Sequence, residues 1–180
     1  MKIICLTLTV VFAWSALAEP AKEAPAPAAD RVGFPQGYRD TFQVLRTVQH
    51  KDDAKIVTVY GNASVASVTN AAQLPYPNGS VIVMESVSAR KGADGKAELD
   101  DQGGLRRDQV LGLHVMRREK GFGEAYQSGR SGEWEFVEYR ADGSYITPPA
   151  KSAACATCHI KAGPEKDFVF QARLATAGKK

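Results

Sequence analysis

The chain of 180 residues is 44% apolar and 24% charged, with nine prolines and three cysteines. That balance fits one globular domain and excludes wholesale disorder or a multidomain enzyme. A formal net charge of +3 gives no support to nucleic acid binding through bulk charge.

The first 18 residues read as an export signal. Lys2 makes a short basic start, residues 3–13 an apolar run, and Ala16-Leu17-Ala18 the small-x-small site that a signal peptidase cuts. The run is shorter than the ~20 residues that cross a bilayer, so no transmembrane anchor is expected after processing. The mature chain then begins near Glu19 in the bacterial periplasm. Its formal charge falls from +3 to +2 as Lys2 leaves, and a cofactor carrying two carboxylates would bring it near zero. Cys5 leaves too, so the mature cysteines are Cys155 and Cys158. Residues 19–30, rich in Ala and Pro, read as a flexible linker. A folded domain over 31–174 and a basic tail over 175–180 follow.

Within that domain, Phe42, Val44, Leu45 and Val48 predict a helix over 38–48. The β-branched and aromatic run 56–60 predicts a strand, and Asn62 caps a second helix over 63–73. Pro75, Pro77 and Asn78-Gly79 stop it. Residues 80–89 predict a central strand, since Val81, Val83 and Val87 alternate with Ile82 and Met84. Glu85 is the exception, on the Val83 face. Residues 90–109 read as a glycine-rich excursion, with further strands over 110–118 and 133–140 and a turn at Asp142-Gly143. This order implies an α+β fold, a predominantly antiparallel β-sheet with flanking helices, rather than a parallel dinucleotide-binding alternation.

The strongest local signal is Cys155-Ala-Thr-Cys158-His159, the attachment motif of a c-type haem. Two thiols can form thioethers with the porphyrin vinyl groups, and His159 can bring an imidazole nitrogen to the iron. Zinc would need four protein ligands, and there is no second cysteine pair. A redox disulfide would open a helix after a strand in a βαβ unit, whereas this pair follows the Pro148-Pro149 loop. One covalently bound haem c per chain is therefore expected, with Cys155, Cys158 and His159 as cofactor-binding residues and His159 as metal ligand.

The opposite face of the iron decides function: a strong second ligand favours electron transfer, an open face binds small molecules. Met84, Met116, His114 and His50 are the candidate sixth ligands, though methionines in strands more often fill the core. Met84, Glu85, Trp134, Phe136 and Phe168 are the candidate haem-pocket residues, the aromatic ones as walls that limit access. No catalytic residue can be named. Glu85 and Glu135 sit in strands, where a solvent-facing or paired carboxylate is the usual outcome.

Beyond the haem motif, Phe34-Pro-x-Gly-Tyr38-Arg39, Tyr60-Gly-Asn62, Pro77-x-Gly79-Ser80-Val81-Ile82-Val83, Trp134-Glu135-Phe136, Asp142-Gly143 and Asp167-Phe168-Val169-Phe170 span nearly all of residues 31–172. This arrangement resembles the cytochrome P-460 and cytochrome c-prime-beta family. The resemblance implies a mainly antiparallel sheet carrying helices, one five-coordinate haem and a homodimer. It also implies either hydroxylamine oxidation or nitric oxide binding. The enzyme branch has a lysine cross-linked to the porphyrin and an acidic proton acceptor. Here Met84 stands at the lysine position, Lys91 and Lys96 lie in a loop, and the segment 145–154 has no Asp or Glu. The expected function is an exported monohaem cytochrome that binds nitric oxide or a related small gaseous or nitrogenous ligand, with electron transfer to a soluble protein. The alternatives are a hydroxylamine-type oxidoreductase and a six-coordinate electron carrier.

Overall fold

The structure, a computed structural model, describes residues 24–170. The signal peptide over 1–18 and the basic tail over 175–180 lie outside the described residues. Residues 24–30, read from composition as linker, lie against the body: Ala26 packs on the core, Pro27 is buried, and Asp30 accepts hydrogen bonds from Val32 N, Gly33 N and the hydroxyls of Tyr139 and Tyr145.

Six strands form one antiparallel sheet in chain order: β1 (Gln43–His50), β2 (Lys55–Gly61), β3 (Ser80–Ala89), β4 (Arg107–Arg118), β5 (Trp134–Tyr139) and β6 (Tyr145–Thr147). Every neighbouring pair is antiparallel. The expected α+β class with an antiparallel sheet holds. The α-helices among the described residues are short: α1 (Tyr38–Thr41), α2 (Ala63–Ala66) and α3 (Ala153–Ile160).

The predicted helix over 38–48 is a single turn followed by an edge strand. Its apolar residues fall at mixed spacings because β1 contains a bulge: Val44 faces Tyr60 and Arg46 faces Val59, leaving Leu45 as the extra residue. The predicted helix over 63–73 breaks into α2 and a 3-10 turn at Ala71–Gln73. Asn62 caps it as expected, its Oδ1 accepting from Val65 N at 3.2 Å.

Strand alternation gives the sheet two faces. On one, Ile82, Met116 and Phe136 join Val65 and Val68 below α2 and Ala156 of α3. On the other, Val83, Leu113, Val115 and Val137 pack with Tyr38 and Tyr139 under the N-terminal segment. The excursion 90–106 folds back on itself through bridges at Lys91/Ala97 and Leu99/Leu105 and buries Leu105 with Ile56 and Ala89.

Candidate functional site

Helix α3 carries the Cys-Ala-Thr-Cys-His run. Pro148 and Pro149 lead into it through a 3-10 turn. Ser152 anchors its start: Tyr126 Oη donates to Ser152 Oγ at 2.8 Å, and that hydroxyl donates to the Pro149 carbonyl at 2.6 Å. Burial pushes the Tyr126 hydroxyl up to about 12, so it stays a donor. Ala156 is fully buried, and its small side chain lets the helix lie close to the sheet. Cys155, Cys158 and His159 stand at i, i+3 and i+4, which places them on one helical face. Both thiols are free, Cys155 half-buried and Cys158 exposed.

His159 is oriented from the segment that follows. Asp167 and Phe168 take left-handed backbone conformations (φ 49° and 60°), rare outside glycine, which turn the Phe168 carbonyl back toward the ring. His159 Nδ1 lies 2.7 Å from that oxygen. A carbonyl only accepts, so Nδ1 carries the proton and Nε2 presents a lone pair. Burial lowers the pKa of His159, outweighing the Phe168 bond, which keeps the imidazole neutral. Phe136 and Phe170 flank the ring at centroid distances of 4.6 and 5.2 Å.

The turn is itself pinned. Trp134 Nε1 donates to the Asp167 carbonyl at 2.9 Å, and Tyr76 N donates to Asp167 Oδ2 at 3.0 Å. Arg118 Nε stands 3.2 Å from the same oxygen. Burial raises the Asp167 carboxyl above its usual range despite these partners.

A cavity of about 970 Å³ opens between α3, α2 and the sheet, with Cys155, Cys158 and His159 in its wall. Rows of paired residues make its floor: Ile82, Met116 and Phe136 in one, and Arg46, Val59, Met84, His114 and Glu138 in the next. Two thiols, an imidazole lone pair and a mostly apolar chamber suit an iron porphyrin. The profile of the cytochrome P460 family matches residues 35–171. The chain belongs to the cytochrome P460 family. A haem cofactor goes with that membership, as does the character of a metal-binding cytochrome. No curated protein matches the chain.

In this cytochrome P460 family member the candidate pocket residues separate. Met84 and Phe136 line the cavity, as do Met116, His114 and His50. Glu85 does not. One residue on from Met84, it faces the opposite side of the sheet, where it is fully buried and bonded to Tyr38, Arg39 and Arg107. Glu135 likewise faces away, held by Arg31. Trp134 shares the face of Phe136 but is consumed in the core, edge-on to Tyr76 at 5.8 Å. Phe168 contributes its carbonyl, while its ring packs over Gly132, where a Cβ would meet it at 2.9 Å.

Arg46, Glu138, Val65, Val68, Val169 and Phe170 also line the cavity. Val65 and Val68 fall within the helix expected over 63–73, and Val169 and Phe170 within the segment quoted after the motif. Glu138 had only its parity with Trp134 and Phe136. Its Oε1 lies 3.1 Å from His114 Nε2, and its Oε2 accepts from Thr147 Oγ1 at 3.0 Å. Among the described residues no helix is long and apolar enough to cross a membrane.

Proposed function

We propose that the protein is an exported, periplasmic monohaem c-type cytochrome with Cys155 and Cys158 joined to the porphyrin, His159 as proximal ligand and the other side of the iron open to nitric oxide or a related small ligand. The observation that carries this reading is the fixed tautomer of His159, with Nε2 unprotonated beside two free thiols in the wall of an apolar chamber. When bound, the haem supplies an iron that takes a small ligand and exchanges an electron. The chain orients and shields it: the Phe168 carbonyl holds the proximal ring, and Phe136, Val65 and Val68 exclude water. By the family likeness, the protein is also a homodimer that exchanges electrons with a soluble partner.

Spectra of the matured protein, oxidised and reduced, with and without nitric oxide, test the proposal, together with its intact mass. One haem per chain and a ligand-dependent spectrum are expected. A low-spin spectrum indifferent to nitric oxide would instead identify an electron carrier, with Met84 or Met116 as sixth ligand.

A second reading, oxidation of hydroxylamine or a similar nitrogen compound, draws on His114. Paired with Glu138 on the cavity floor, it offers the proton acceptor that neither Glu85 nor the segment before the haem motif supplies. Steady hydroxylamine-dependent reduction of an acceptor, lost in His114→Leu, would favour that reading.

A further inference from the structure

We propose that Arg46, with His50 four residues further along the same face of β1, receives the two carboxylates of the haem, so that the cofactor spans the sheet from the cysteine helix to the edge strand. The proposal rests on the haem reading above. Thioether attachment uses the vinyl groups of the porphyrin, and the two carboxylate arms leave from roughly the opposite edge. Helix α3 packs over β5, at one end of the cavity floor. Following the row Glu138, His114, Met84, Val59, Arg46 from β5 to β1 crosses four strand spacings, roughly 19 Å at ~4.8 Å each. A porphyrin anchored at α3 and lying along this row would turn its carboxylate edge toward β1.

Charge is distributed to meet them. Glu138, at the cysteine end, is engaged by His114 and Thr147. Arg46, at the other end, has no hydrogen bond or ion pair among the described residues, although it lines the cavity. A planar guanidinium donates to a carboxylate through two parallel bonds, the geometry for which arginine is best suited.

The β1 bulge aims Arg46 at that chamber. Continuing the register of Gln43/Gly61 and Val44/Tyr60 would set Arg46 opposite Thr58, whose other neighbour is Glu85 on the far face. The extra residue Leu45 moves Arg46 opposite Val59, which neighbours Met84 on the cavity face. Val48 and His50 follow it into the lining.

Resonance Raman spectra of the matured holoprotein read this through the bending band of the haem carboxylate arms. Arg46 is exposed on an edge strand, so Arg46→Leu and Arg46→Ala leave the buried core unchanged. The band is expected to shift to lower frequency in both, to stay near its original position in Arg46→Lys, and not to move in Arg117→Leu, whose cation pairs with Glu119 away from the cavity lining. An unmoved band in both Arg46→Leu and Arg46→Ala overturns the proposal, as does an equal shift in Arg117→Leu. If the unsubstituted protein carries no haem by mass or spectrum, it is the haem reading that has failed.

Discussion

Glu85 is an ionised carboxylate in a place that water does not reach. Burial alone would raise its pKa, but Tyr38, Arg39 and Arg107 all donate to it, and together they bring it below the ordinary carboxylate range. A folded pKa below the unfolded value of ~4.3 contributes stability that is fully present above that pH and is lost as pH falls through the folded value. Glu85→Gln is therefore expected to cost about 2 kcal/mol at pH 7 and to flatten the fall in urea midpoint between neutral pH and ~pH 3. A variant whose acid limb matches that of the original protein would remove Glu85 from the account. The next residue back, Met84, shows how little separates structural from functional roles in a strand. Reversing the side on which helices pack would have exchanged the two. Alternation made the grouping of Glu85 with Val83 and Val87 legible, but which face carries the chamber was not, because α2 and α3 choose it through tertiary contacts.

At the level of elements, β3 was readable because it lies inside the sheet and buries a side chain at almost every second position, as was β4 from residue 110, whereas residues 107–109 at its start are polar and exposed and read as loop. The edge strand β1 was not readable. Most of its residues are exposed, and its bulge interrupts the period that identifies a strand, so adjacent Val44 and Leu45 imitated one stripe of a helix. Cys155, Cys158 and His159 were visible as one run, and the structure sets all three in the wall of one cavity. The Phe168 carbonyl that orients His159 left no trace, because its position comes from two left-handed residues that carry neither glycine nor asparagine. Asn62 was visible as a cap, yet it does more. Its Oδ1 also accepts from Val81 N at 3.1 Å, and Nδ2 donates to the Gly79 carbonyl at 2.7 Å, joining α2 to the start of β3. Asn62→Ala is expected to cost about 2 kcal/mol, the upper end for loss of a cap, read as a lower thermal midpoint. Asn62→Asp should recover part of it by keeping Oδ1.

Among the described residues the molecule is one sheet with a core under the N-terminal segment on one side and, on the other, a core that stops at a chamber. A haem joined covalently stays with the unfolded chain, so what it adds to the fold is the burial of its apolar ring in the chamber and the ligation by His159 that unfolding would break. Cys155→Ala combined with Cys158→Ala is expected to remove the haem from the intact mass. For a chain of this size the melting temperature should fall by about 2–4 °C for each kcal/mol of cofactor stabilisation lost. An unchanged mass in that variant would end the covalent account.

Because every strand pairs with the strand next to it in the chain, the sheet of the described residues is complete at residue 147. A chain emerging from its N-terminus can lay down the whole meander while Cys155 and Cys158 are still arriving. If Cys155 and Cys158 take a haem as proposed, the order of the strands separates scaffold assembly from cofactor loading in time.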